Sequence, residues 1–437
     1  MLTTQLIHAL ALGAVASSPP DASASGDQAI QELKAQIASL QNQVSDLRKT
    51  SGEDWLTEQR AEEIRSMVHD VLADADTRAS LLAQGVSAGH DGHFFLASPD
   101  GNFRLEIAGQ MQVRYVYNLL EEAPGIDTNR AGFEIRRMKL DFSGHIIDPS
   151  WQYTVVGAFD RDGGALEAED VFINKSFDNG VSVQVGQFKL PFMREELVSS
   201  KRQLAVDRSL VNEEFNQDRS QGAQVTYEGD QFKFDVAASD GFASSNVAAL
   251  TEDIEGVALT GRAEWLAMGD WRQFRDFTSP QGSEQGLLVG AAIHYEKAEY
   301  GTASGPEEEL FTWTADVSFE GDGFNVFAAL VGRNLDVADT DEIGIVIQGG
   351  LYLTSDIELY ARYEWADPDD DAIEELSALT FGVNKYFDKH NLKWTSDIGI
   401  GFNEVDSKYA SSGVGWRTDG ADEDGQVSIR TQLQLLF

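Results

Sequence analysis

Fourteen of the chain's 33 lysines and arginines fall between residues 101 and 220, beside 19 acids. Six of them, Lys189, Arg194, Lys201, Arg202, Arg208 and Arg219, share the stretch GQFKLPFMREELVSSKRQLAVDRSLVNEEFNQDRSQGAQV, residues 186–225. Bunched cations of this kind bind phosphate-like anions, and guanidinium does so through a fork of parallel hydrogen bonds. Glu195, Glu196, Asp207, Glu213, Glu214 and Asp218 stand among them, so pairing with a neighbouring carboxylate is the competing role for each cation. Further upstream, Arg104, Arg114, Arg136, Arg137 and Lys139 form a second group. Catalytic chemistry has much less to work with. His145, His294 and His390 lack a recognisable nucleophile motif nearby, and no G-x-S-x-G occurs. The chain has no cysteine and seven scattered histidines, so it reads as a non-enzyme with no metal centre and no cofactor. The acidic runs DPDDD and DGADEDG lack calcium-loop spacing and read as solvated loop tips.

The elements that must carry these residues show a period of two. The chain ends on VSIRTQLQLLF, where Val427, Ile429, Leu433, Leu435 and Phe437 share one face and Ser428, Arg430, Gln432 and Gln434 the other. In FRLEIAGQMQVRYVYN, Phe103, Leu105, Ile107, Met111, Val113, Tyr115 and Tyr117 alternate with Arg104, Glu106, Gln110, Gln112 and Arg114. Sixteen such segments begin near residues 103, 130, 151, 168, 181, 221, 232, 257, 286, 310, 324, 343, 356, 377, 392 and 427. Short turns such as DNG (178–180) and EGDG (320–323) alternate with long acidic loops such as ADPDDDAIEEL (366–376) and RTDGADEDG (417–425). That pattern belongs to bacterial outer-membrane barrels, which close every backbone hydrogen bond as lipid requires. Aromatic residues near strand ends, among them Trp151, Tyr227, Trp265 and Trp365, suit the interfacial girdles. Past the N-terminus no run of 18 apolar residues exists, which excludes a helical span. Stacked β-sandwiches would need a domain break between 103 and 437, and the pattern shows none. The fold expected is an all-β transmembrane barrel of 16 antiparallel strands with an N-terminal α-helical coiled-coil segment. Sixteen strands leave an aqueous channel.

Charge then decides what passes. The net charge is −40, with −27 in residues 221–437, which speaks against nucleic-acid binding. About 28 residues after Pro191 carry no strand pattern, too long for a passive connection. Folded inward, this loop (about 191–220) brings Arg194, Lys201, Arg202, Arg208 and Arg219 to a constriction. In the second strand the register slips between Ile135 and Met138, which predicts a bulge at Arg136-Arg137 that turns one arginine inward beside Lys139. Arg104, Arg114 and Lys139 are the wall candidates, since charges facing lipid are costly.

Ahead of the barrel, residues 1–16 read as a signal peptide, with an apolar core from Leu6 and Ala14-Val15-Ala16 as cleavage site, although no Lys or Arg precedes it. Ile30, Leu33, Ile37, Leu40, Val44 and Leu47 keep a heptad, Ile or Val at a and Leu at d. Residues 54–83 look like a second helix. The division expected is a helical coiled-coil segment over 26–84, a Gly-rich linker over 85–102 and the barrel over 103–437.

Gly186-Gln187-Phe188-Lys189, Pro191-Phe192, then Arg208-Ser209 and Arg219 to Gly222, resemble the phosphate-selective porin family, porins O and P, and GFEIRRMKLDFSGHI (132–146) resembles that family's second strand. The resemblance covers roughly 103–230. It implies a trimer of 16-stranded barrels in the bacterial outer membrane, with a loop folded into each pore and small anions such as phosphate as solutes. Partners expected are outer-membrane lipid and two further copies of the chain; the coiled coil over residues 26–84, hanging into the periplasm, would contact the cell wall or another periplasmic partner, or lock the trimer. The acidic second half departs from the family pattern. It keeps open a general or cation-preferring porin whose coiled coil tethers the envelope.

Overall fold

Alternation sets the architecture, because a strand with one apolar and one polar face satisfies lipid outside and water inside. The computed structural model describes residues 26–50, 65–66, 85–123, 126–242, 244–247, 258–299, 307–336, 338–419 and 425–437. They fall into two units, Met1–Ser87 and Ala88–Phe437. In the first, one helix, α1, runs Gly26–Thr50. Ile37 and Val44 on its stripe are half-buried and Leu40 is 53% exposed. The signal-peptide reading and, apart from 65–66, the second-helix reading lie outside the described residues.

The second unit opens with two short strands inside the stretch read as a linker, β1 (Ser87–Asp91) and β2 (His93–Ala97). Gly92 between them takes φ +75°, a conformation glycine adopts without strain. Sixteen long strands follow. The first eight are β3 (Arg104–Ala123), β4 (Ile126–His145), β5 (Trp151–Phe159), β6 (Leu166–Ser176), β7 (Val181–Lys189), β8 (Arg219–Glu228), β9 (Phe232–Ser239) and β10 (Ala258–Met268). The other eight are β11 (Gly286–Glu299), β12 (Glu307–Gly321), β13 (Phe324–Leu335), β14 (Thr340–Tyr352), β15 (Ile357–Asp367), β16 (Leu376–Asp388), β17 (Leu392–Gly401) and β18 (Val427–Leu436). Each pairs antiparallel with the next. The cylinder closes where β18 meets β3, from Val427↔Leu119 to Leu436↔Gln110. The last residue takes part: Gly109 N donates to Phe437 O at 2.7 Å and Phe437 N to Gly109 O at 3.1 Å. A Cβ on Gly109 would meet the Phe437 ring at 2.2 Å, so a side chain here would displace that ring.

The faces divide as the alternation demands. Phe133, Ile135, Ile173, Val236, Ile293 and Leu433 are exposed on the outside, while Ser428, Arg430, Gln432 and Gln434 are buried inside. The slip in β4 is a bulge at Arg136, since Gln112 pairs with Arg137 and Val113 with Ile135.

The inside is unevenly filled. Between β7 and β8, residues 190–218 fold into the barrel through two short helices, α2 (Arg194–Leu197) and α3 (Leu210–Phe215). Phe192, Met193, Leu210, Val211 and Phe215 pack with Ala292, Val331 and Ala378 of the wall and with Val405, Tyr409 and Trp416 of the 402–426 connection. Val198, Leu204 and Ala205 pack with Phe327, Val346 and Tyr360. Wall side chains clamp the same segment through its carbonyls: Asn384 to Leu204 O and Lys393 to Gln203 O, both at 2.8 Å, and Gln434 to Lys201 O at 2.9 Å. From the end that holds the C-terminal Phe437, residues 269–285 also turn inward. Phe274 and Phe277 are buried there, and the Phe277 ring lies 4.8 Å from that of Phe327.

Candidate functional site

With the β10–β18 side packed, open space remains along β4–β10, and among the described residues it includes three adjoining chambers. The upper one, about 570 Å³, lies at the end with the long connections and is lined by Arg136, Arg137, Lys139, Asp160, Arg161, Glu169, Glu213 and residues 410–413. The middle one, about 200 Å³, holds Lys139, Asp141, Glu169, Asp170, Lys189, Lys201 and Arg219. The lower one, about 350 Å³, lies at the terminal end, with Arg194, Lys201, Arg202, Glu228, Lys233, Glu264 and Arg275. Neighbouring chambers share walls, Lys139 and Glu169 between upper and middle, Leu197, Ser199 and Lys201 between middle and lower.

The sequence candidates separate into two kinds on this frame. Lys139 and Arg219 line the middle chamber and pair there with acids, Lys139 with Glu169, Arg219 with Glu169 at 3.1 Å and with Asp170 at 2.9 Å. Lys201 and Arg202 line chambers and form no ion pair among the described residues. Arg136 lines the upper chamber while its Nε donates to Asp207 at 2.6 Å.

The others act as clamps. Arg208 is 6% exposed; it donates to the carbonyls of Glu195, Glu196 and Val198 and pairs with the Glu196 carboxylate at 3.1 Å. Arg194 touches the lower chamber but spends its donors on Ser318 Oγ at 2.8 Å and Phe274 O at 2.6 Å, joining the two inward segments. Arg114 is fully buried, shared by Glu134, Asp207 and the carbonyl of Gly413. Arg104 pairs with Glu106 at 2.6 Å over the ring of Phe95 and lines none of the three chambers.

Asp207 anchors the inner segment. Arg136, Arg137 and Arg114 reach it at 2.6, 2.7 and 3.2 Å. Burial pushes its carboxyl up, yet the three guanidiniums outweigh burial and hold it well below the usual carboxylate range. Glu196 behaves alike: burial raises it, while Arg208 and Lys189 hold it at about 2.

Sequence reasoning missed Arg137 as an inward group in its own right, Lys189, Lys233 and Arg275. Lys189 stands in the GQFKLPF motif. Arg275 belongs to the 269–285 connection, whose Trp271, Phe274 and Phe277 fit neither the strand nor the helix period clearly, so no sequence signal marks it.

Residues 107–287 match the family described as phosphate-selective porin O and P, a span that runs past the motifs quoted above. An uncharacterised protein of Aquifex aeolicus is 25% identical over 328 residues, covering 69% of this chain and 76% of its own. Among solved structures, the anion-selective porin from Comamonas acidovorans superposes with a TM-score of 0.54 at 14% identity, covering 76% of this chain and 99% of that one. Salmonella typhi OmpF in complex with daunomycin gives 0.52 at 12%, covering 76% and 98%, and the outer-membrane OmpT of Vibrio cholerae 0.51 at 12%, covering 77% and 98%. At these identities the structural likeness speaks for the fold. Over residues 107–287, then, the chain matches the phosphate-selective porin O and P family, and its closed barrel has the fold of an outer-membrane porin.

Proposed function

We propose that this outer-membrane channel passes small anions, phosphate among them, by passive diffusion through the three chambers in series. One observation carries the reading. Within a chain of net charge −40, the chamber walls bring together eleven cations and seven acids. Four of the cations are upper (Arg136, Arg137, Lys139, Arg161), three are added in the middle (Lys189, Lys201, Arg219) and four below (Arg194, Arg202, Lys233, Arg275). Low-dielectric walls focus such a field on the solute path, while acids on the outer loops are screened by salt within about 8–10 Å.

The acid-rich second half argues for a general or cation-preferring pore. Inside the barrel, however, several of its acids are matched. Asp316 pairs with Arg262 at 2.8 Å, Glu364 with Arg362 at 2.9 Å and Asp397 with Arg430 at 2.7 Å, all away from the chambers. The same proposal makes the protein a homotrimer, with residues 26–84 in the periplasm as a coiled coil that holds the copies together or contacts the cell wall. The heptad on α1 supports this.

Lys201 tests the solute. It lines both the middle and lower chambers without an ion pair among the described residues. Lys201→Ala is expected to weaken phosphate block of chloride current severalfold while leaving the barrel as stable as before. Unchanged block would remove Lys201 from the site, and no block in either protein would remove phosphate.

A further inference from the structure

Glu213 is a carboxylate that the loop brings to the path and leaves unpaired. It sits on α3 and lines the upper chamber with Arg136, Arg137 and Lys139 of β4. Both arginines are taken up by Asp207 and Lys139 by Glu169. Glu213 forms no ion pair among the described residues. Around it, the connection between β5 and β6 contributes Asp160 and Arg161, and β6 contributes Glu169. The inner segment itself adds Glu196, Asp207 and Arg208. The Ala410–Gly413 stretch that closes the chamber adds no charged side chain.

We propose that Glu213 sets the charge preference of the upper mouth and makes it respond to acidity. Ionised, it adds a negative charge to a chamber whose cations are already paired. Protonated, it takes that charge away and leaves the mouth less repulsive to an anion. The proposal rests on the anion-pore reading above. Burial, followed by the ionised Asp207 nearby, pushes Glu213 up to about 7, and Arg136 and Arg208 offset this only in part. The direction follows: below that pH the group is neutral and the mouth more cationic, above it the group is charged and the mouth less so.

The test is the reversal potential of the full-length protein in a planar bilayer under a potassium chloride gradient, at about pH 8 and about pH 5.5, on either side of the titration near 7. In the wild type, the preference for chloride is expected to rise severalfold on acidification. Glu213→Gln should show the acidic preference at both pH values. A wild-type preference that stays anionic but flat with pH overturns this proposal alone, and needs no variant. A Glu213→Gln protein that still follows the wild-type pH dependence overturns it too, because another group then titrates. Cation preference at both pH values in both proteins overturns the anion reading itself, and this proposal with it.

Discussion

At the scale of single residues, the same cation type does two different things, and distance along the chain decides which is visible beforehand. Lys201 and Arg202 line chambers and form no ion pair among the described residues, whereas Arg194 and Arg208 are consumed in holding the inner segment. Their local neighbours Glu195 and Glu196 were plain in the sequence. Ser318 and Phe274, the partners that fix Arg194, lie 124 and 80 residues away, and no local spacing announces them. The bulge at Arg136 was legible because a period of two cannot slip without one. That both arginines would converge on Asp207, about 70 residues on, was not legible. Asp207 is therefore the residue on which three guanidiniums depend. Asp207→Asn leaves Arg136 and Arg137 facing a neutral partner and Arg114 with Glu134 as its remaining acid, and breaking a buried pair of this kind costs about 3–5 kcal/mol. The expected outcome is a loosened inner segment, read as protease cleavage within residues 190–218 and noisier open-channel current. Resistance equal to wild type would deny Asp207 its anchoring role.

At the scale of elements, the strands were legible and one connection was not. Each of the sixteen expected starts lies within a few residues of an observed one, because alternation survives wherever one face meets lipid and the other water. The 190–218 segment declared itself by length. The 269–285 connection did not. Trp271, Phe274 and Phe277 fit neither period clearly, and their purpose appears only when Phe277 meets Phe327 and Phe274 O meets Arg194. This segment walls the lower chamber from the terminal end. Phe274→Ala is expected to cost roughly 3 kcal/mol in packing and to widen the lower chamber, which Phe274 lines. Single-channel conductance should rise, with the preference for anions reduced. Conductance equal to wild type would mean that the segment lies outside the rate-limiting stretch.

At the scale of the barrel, closure and filling have different origins. Closure was written in the alternation of the last strand, with Phe437 seated against Gly109. Filling depends on loop carbonyls and apolar side chains packing against the β10–β18 wall, which strand patterning does not encode. The result is an off-centre path that gathers cations in an acidic protein. The central claim is that this path, and not the net charge of −40, determines which ion crosses. The reversal potential of the wild-type protein across a planar bilayer, under a potassium chloride gradient near neutral pH, measures this most directly. A potential with the sign of chloride permeation is predicted; one with the sign of potassium permeation would contradict the account.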